Sequence, residues 1–170
     1  MLLGLSLLYV GAVLILNGLW LSGRVEDREI ILINLSVATI SFLVAIHSAV
    51  FADTIADVRA AAMTLLFAIT YLWVAYNRLQ DCDGRGLGWF SLFVSVTVVP
   101  VALLSFTEAD SLMSVWLAFS WTAWAALWFV YFVLLTVQKP IQKLAAYFTL
   151  FCGVFTAWLP GMLLLFEVAN

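Results

Sequence analysis

Long uncharged stretches, composed mostly of apolar residues, alternate with short charged segments along the chain. The uncharged stretches are residues 1–23, 30–52, 60–77, 86–107, 111–138 and 144–166. Because about 20 helical residues cross a membrane core about 30 Å thick, the pattern predicts an all-α polytopic membrane protein. We expect a single transmembrane domain over residues 1–170, with helices at about residues 2–22, 30–51, 59–78, 87–106, 113–137 and 143–167.

Composition supports this assignment and narrows the range of partners. Of the 170 residues, 66% are hydrophobic and 10% are charged, whereas a soluble domain carries about 25% charged residues. The formal net charge of −3 is spread over short loops and leaves no basic patch. A soluble globule is therefore excluded, and nucleic acid is not an expected partner.

Basic residues are unevenly divided between the loops at the two ends of the predicted helices. The first, third and fifth loops hold Arg24, Arg28, Arg78, Arg85, Lys139 and Lys143. The second loop holds Arg59, and the fourth holds no basic residue. Loops rich in Lys and Arg remain in the cytoplasm. We therefore expect a multi-pass protein of the cytoplasmic (inner) membrane with both termini outside.

The interiors of the predicted spans contain no acidic or basic residue, and the one histidine, His47, lies near the outer end of the second span. Ion-coupled transporters place ionisable groups at depth. An intramembrane enzyme needs an embedded acid, base or metal cluster. We therefore expect neither a coupled pump nor an enzyme, and no metal or cofactor.

Three asparagines are the main polar residues inside the first three spans. Asn17, Asn34 and Asn77 all fall toward the cytoplasmic ends of their helices. They could form a polar mouth on that side. They could equally bond neighbouring helices to one another, since an amide in lipid accepts any available partner. The sequence leaves both interpretations open.

Two groups of large side chains lie at mid-depth, each on one helix face. They are Phe67 and Tyr71 on the third helix, and Trp121, Trp124, Leu127 and Trp128 on the fifth. Such a stripe is often simple packing. However, indole N–H and phenol O–H groups in an apolar region need partners. A lumen lined by flat rings and a few donors would suit a small, flat, neutral permeant.

Glycines recur at every seventh position of the first helix, at Gly4, Gly11 and Gly18. A stripe of residues without side chains lets another helix approach closely. We interpret it as a packing surface.

Several segments resemble one known family. They are LLGLSLLYVGAVLILNGLW at 2–20, TLLFAITYLWVAYN at 64–77, GLGWFSLFVSV at 86–96, WTAWAALW at 121–128 and FTAWLPGMLLL at 155–165. They are similar, in five of the six predicted helices and in the same order, to the AmiS/UreI family of amide and urea channels. The chain resembles the short AmiS-type branch, encoded beside amidases, more than the longer acid-gated urea channel.

The resemblance implies three two-helix hairpins around a pore in each protomer, and a homohexamer whose centre is plugged by lipid. Its pore positions match Phe67 and Tyr71 of the third helix and Trp121, Trp124, Leu127 and Trp128 of the fifth. Leu14 matches a further narrow point. Cys152 matches a buried glutamate of the urea channel, so no carboxylate is available there.

The resemblance implies a passive channel for small neutral amides or urea, such as acetamide, that supplies a cytoplasmic amidase or urease. The urea channel gates through histidines in long outer loops. This chain has neither feature, so we expect no acid gating. The alternative is a membrane sensor or scaffold protein without transport activity.

Overall fold

The computed structural model describes residues 2–166 and contains six membrane-spanning helices within that range. They are α1 (Leu2–Leu21), α2 (Ile30–Val50), α3 (Ile55–Leu79), α4 (Arg85–Thr107), α5 (Leu112–Leu135) and a last span, Gln142–Leu165. The last span comprises α6 (Gln142–Phe151), a π-helical segment (Cys152–Trp158) and α7 (Leu159–Leu165). The predicted all-α fold is confirmed. The expected end of the last helix, at residue 167, lies outside the described residues.

Two short loops are fixed by helix caps. At the start of α3, the Thr54 hydroxyl accepts from the Asp57 N–H at 3.2 Å, and the Asp57 carboxylate accepts from the Thr54 N–H at 2.9 Å. Ser111 and Ser114 form the equivalent reciprocal pair at the start of α5. These capping boxes satisfy N–H groups that a helix leaves free. As a result, α3 begins four residues earlier than the charge pattern predicts.

The predicted arrangement of three two-helix hairpins is confirmed. The hairpins are α1 with α2, α3 with α4, and α5 with the last span. The most extensive packing joins one hairpin to the next, because α2 lies along α3, α4 along α5, and α1 along the last span. The bundle is thereby closed between its first and last helices.

The glycine stripe of α1 faces the last span. A methyl group at Gly11 would lie 2.7 Å from the Trp158 backbone nitrogen, and one at Gly153 would lie 2.9 Å from the Ile15 nitrogen. The two backbones therefore touch, and no side chain fits between them. The interpretation of the stripe as a packing surface is confirmed.

Replacing Gly11 with alanine should destabilise the protein. The new side chain meets backbone atoms, which cannot rotate away, so we expect a loss of about 3 kcal/mol, the upper end for an overpacked site. Gly86→Ala is the matched control, because its methyl would meet only the edge of the Trp73 ring. Thermal unfolding in detergent, followed by tryptophan fluorescence, measures both. Equal unfolding midpoints for the two variants would contradict this account of the contact.

The last span changes its hydrogen-bonding pattern where it crosses α1. The Leu159 N–H donates to the Val154 carbonyl, five residues back, as in a π-helix. Pro160 follows directly and has no N–H to donate. Single π-turns are frequent at functional sites. Here the segment presents the Thr156 side chain to α5.

Candidate functional site

Five rings from α3 and α5 form one cluster at the centre of the bundle. The Phe67 ring lies between the others: ring centroids are 4.9 Å from Trp124, 4.7 Å from Trp128, 6.1 Å from Trp121 and 6.3 Å from Tyr71. Edge-to-face geometry, favoured for aromatic pairs, occurs between Phe67 and Trp124. We call these five residues the aromatic cluster.

Threonines hold two of the indoles in place. The Trp124 Nε1–H donates to Thr156 Oγ1 at 2.8 Å, and the Trp128 Nε1–H donates to Thr70 Oγ1 at 3.3 Å. Each threonine hydroxyl in turn donates to a carbonyl of its own helix, that of Cys152 or Leu66. Both indoles are therefore fixed and already bonded. They offer ring faces to a neighbouring space, and no free N–H group.

Tyr71 differs from its neighbours because its hydroxyl group is buried without a hydrogen-bond partner among the described residues. The side chain is 2% exposed. By contrast, the hydroxyl of Tyr131 on α5 lies 3.0 Å from Thr149 Oγ1. A buried polar group without a partner is costly, so most such groups are satisfied. Tyr71 is also one of the residues that line the central cavity described below.

A central cavity borders the aromatic cluster. It is lined by Leu14, Asn17, Phe67, Thr70, Tyr71, Val74, Leu87, Ser91, Trp124, Leu127, Trp128 and Tyr131. The cavity volume is about 40 Å³. A cavity of this size holds a few waters or one very small solute. No charged side chain belongs to this lining. The cavity is therefore narrow, mostly apolar and neutral.

The structure brings together most of the residues that the sequence singled out. Leu14, Phe67, Tyr71, Trp124, Leu127 and Trp128 all line the central cavity. Trp121 packs against Phe67 and Trp124 but does not line the cavity. Cys152 is fully buried behind the cavity wall. Its carbonyl, which accepts from Thr156, links it to the Trp124 indole.

Sequence reasoning missed the polar residues that complete the site. Thr70 and Thr156 orient the two indoles, and Ser91 and Tyr131 line the central cavity. Neutral hydroxyls inside four different helices were the available signal. The sequence alone does not say which hydroxyl faces which indole.

Two further spaces continue from the central cavity toward one end of the bundle. The inner cavity, also about 40 Å³, is lined by Asn17, Trp20, Leu21, Val74, Asn77, Arg78, Gly84, Leu87, Tyr131 and Leu135. The vestibule, about 540 Å³, includes Gly23, Asp83 and Gln138, one residue from each of the first, third and fifth loops. The predicted grouping of these loops at one end is confirmed. At the opposite end, Arg59 pairs with Glu108 at 3.7 Å.

The three membrane asparagines have two different roles in the structure. Asn17 and Asn34 exchange hydrogen bonds at 3.1 and 2.7 Å, and Asn34 also donates to the Ile30 carbonyl. This pair joins α1 to α2, as one sequence interpretation proposed. Asn17 and Asn77 both line the inner cavity, but only Asn17 is paired with another asparagine.

A group of three side chains separates the inner cavity from the vestibule. Trp20 and Arg78 line both spaces. The Arg78 guanidinium lies 5.3 Å from the centre of the Trp20 ring. Asp27 accepts from the Trp20 indole at 2.5 Å and from Arg78 at 3.4 Å. The carboxylate therefore holds the ring and the cation against each other at the mouth of the inner cavity.

Comparisons with known proteins agree with this architecture. A family model described as AmiS/UreI family transporter matches residues 2–168. The chain is 40% identical over 168 residues to a Mycolicibacterium smegmatis protein named as a transporter of amidate substrates, an alignment covering 95% of this chain and 75% of that protein. It is 33% identical to the acid-activated urea channel of Helicobacter pylori, covering 97% and 98% of the two chains.

The fold is similar to solved structures as well. The cryo-EM structure of the Helicobacter pylori urea channel in a closed state matches with a TM-score of 0.86 and 32% identity, covering 98% of each chain. The family match and the structural match therefore both extend over nearly the whole described chain. The chain belongs to the AmiS/UreI family of membrane transporters and, as predicted, is not an enzyme.

Proposed function

We propose that the protein is a passive channel for small neutral amides or urea, with the central cavity as its selective part. The observation that carries this proposal is the combination of fixed ring faces with the unpartnered hydroxyl of Tyr71. A pore for a flat solute needs flat apolar walls and one polar group that replaces a lost water. Trp124 and Trp128 supply walls, and Tyr71 supplies the polar group.

Permeation then proceeds as an exchange of water for ring contacts and one hydrogen bond. An amide such as acetamide enters the central cavity edgewise and passes along the rings of Phe67 and the two fixed indoles that line it. Its carbonyl accepts from the Tyr71 hydroxyl while its faces contact the rings. Ligand pockets commonly combine apolar surface with a few polar groups in this way.

Neutrality of the site accounts for ion rejection. An ion that sheds its hydration shell needs compensating charges or many oriented dipoles. The described lining of the central cavity offers no charged side chain. We therefore expect amide flux without measurable ion conductance.

The proposal includes location and assembly. We place the protein in the cytoplasmic membrane with both termini outside, so that the vestibule opens to the cytoplasm beside an amidase or urease that consumes the permeant. The basic residues of the loops at the vestibule end support this orientation. The family resemblance supports a hexamer around a lipid plug, with conduction through each protomer.

Proteoliposome shrinkage tests the function directly. Vesicles containing purified protein are mixed with hyperosmotic acetamide, urea or potassium chloride, and light scattering follows volume recovery. We expect faster recovery with acetamide or urea than in protein-free vesicles, and no change with potassium chloride. A sensor or scaffold would give the protein-free rate for every solute, and this result would contradict the proposal.

Amide flux should vary less than about twofold between about pH 5 and about pH 7. The central cavity lining holds no group that titrates in this range, and His47 is exposed at the outer end of α2 beside the Phe51 ring. In the vestibule, hydrogen bonds from the Arg85 backbone and side chain lower the pKa of Asp83. A lowered pKa keeps that carboxylate charged throughout this range, so its state does not change.

The measurement compares initial flux rates at equal pH inside and outside the vesicles. A severalfold rise at the lower pH would contradict the prediction. It would direct attention to the titratable groups at the outer end: Asp53, Asp57, Glu108, Asp110 and His47.

A further inference from the structure

Asn77 is a buried amide that faces a cavity and lacks a protein partner. The residue is 4% exposed and lines the inner cavity, and its side chain makes no hydrogen bond to any described residue. Asn34, equally deep in the fold, has both Asn17 and the Ile30 carbonyl as partners. An amide used only for packing would be satisfied in the same manner. The Asn77 side chain therefore faces whatever molecule occupies the inner cavity.

A second unpartnered group lines the same space. Arg78 borders the inner cavity, and its Nε–H is buried without a hydrogen-bond partner in the described chain. Its terminal nitrogens are engaged by Asp27 and the Cys82 carbonyl. Two neighbouring residues of α3 thus leave polar atoms unsatisfied at one small cavity.

The chemistry of these groups matches that of a primary amide. A primary amide carries N–H donors and a carbonyl acceptor, and so does the side chain of Asn77. Two amides can pair through two hydrogen bonds, which satisfies both. Val74, Leu87 and Leu135 supply apolar walls around the remaining surface.

We propose that the inner cavity is a second binding subsite for an amide or urea, with Asn77 as the residue that pairs with it. The subsite lies between the aromatic cluster and the vestibule, and the inference rests on the proposed function. A permeant leaving Tyr71 would meet Asn77 before it meets bulk water. The passage is thereby divided into two steps, each with hydrogen-bonding groups of its own.

Side-chain amide NMR tests the subsite on the wild-type protein. Protein labelled with ¹⁵N-asparagine is placed in lipid nanodiscs and titrated with acetamide, and Asn77→Leu assigns the signal. We expect the Asn77 amide signal to shift and saturate, while the Asn34 signal, already bonded, stays in place. No shift at Asn77, or a shift that rises linearly without saturating, would overturn the subsite.

The NMR titration in nanodiscs and the flux assay in proteoliposomes, carried out on the same purified protein, together separate this inference from the proposed function. Acetamide flux without a saturable Asn77 response overturns the subsite and leaves the channel function standing. A saturable Asn77 response without flux supports the subsite and contradicts the channel function. Absence of both overturns both.

Flux measurements give a second check. Asn77→Leu keeps the side-chain size but removes the hydrogen bonds, so we expect acetamide and urea flux to fall roughly fivefold. Gln80→Leu is the matched control, since this exposed amide lies three residues further along, outside the inner cavity lining. Equal flux in the two variants would overturn the role of Asn77.

Discussion

Replacing Trp124 with alanine should remove the discrimination between acetamide and longer amides. The indole is 4% exposed, packs edge-on against Phe67 and is fixed by Thr156. Its loss widens the central cavity on one side and frees the neighbouring rings to move. A close-fitting apolar pocket distinguishes one extra methylene by about 10- to 200-fold. We expect the ratio of acetamide to butyramide flux to fall at least about tenfold.

Trp89→Ala is the matched control for this experiment. Trp89 is 59% exposed on α4 and its ring contacts Phe132, away from the central cavity lining. Liposome shrinkage with a series of amides of increasing length measures both variants. If Trp124→Ala retains the wild-type ratio, the aromatic cluster is not the filter. Loss of ion rejection in Trp124→Ala alone would extend the role of this ring to hydrated ions.

Replacing Tyr71 with phenylalanine should slow amide flux by about tenfold without changing selectivity by size. The substitution removes one oxygen atom and leaves the ring packing intact. A permeant carbonyl beside residue 71 then has no donor, and an unsatisfied polar group in a buried place costs about 1–3 kcal/mol. We expect the same reduction in flux for every amide, because each amide carries the same carbonyl group.

Tyr76→Phe on the same helix serves as the control, since Tyr76 is 53% exposed and outside the cavity lining. Initial shrinkage rates in acetamide and urea are compared at matched protein content. Unchanged rates in Tyr71→Phe would show that its hydroxyl makes no bond that limits permeation. A change in the size ratio would assign Tyr71 to the walls and not to hydrogen bonding.

The sequence predicted the fold because the hydrophobic pattern here has few alternative solutions. Uncharged stretches of membrane-spanning length can satisfy their backbone only as helices. The ends of the helices depend on local hydrogen bonds, which cannot be seen in the pattern of charged residues. The Thr54–Asp57 capping box extends α3 beyond the charged residues at its start. The π-helical segment in the last span, which packs against α1, was not predicted.

The site was partly predictable because helical spacing determines which residues share a face. Phe67 and Tyr71 on α3, and Trp124 and Trp128 on α5, could be grouped from spacing and depth alone. Whether two faces meet depends on packing angles that spacing does not contain. Trp121 shares the α5 face, yet lies beyond the cavity lining.

Polar partners were the least predictable part of the site. The three asparagines look alike in sequence, and only the structure separates the Asn17–Asn34 pair from the free amide of Asn77. The difference arises because α1 and α2 bring two of these side chains within hydrogen-bonding distance. No comparable partner approaches the Asn77 side chain within the described residues. Hydrogen-bond pairing across helices is a property of the packed bundle.

The position of a bound permeant in a crystal would show whether the central cavity is the pore. Selenourea is a flat neutral urea analogue, and anomalous scattering from its selenium atom identifies its position in a crystal of the protein. We expect selenium density in the central cavity of each protomer, among Phe67, Tyr71, Trp124 and Trp128. Density found only outside the protomers, with the central cavity free of selenium, would contradict this expectation.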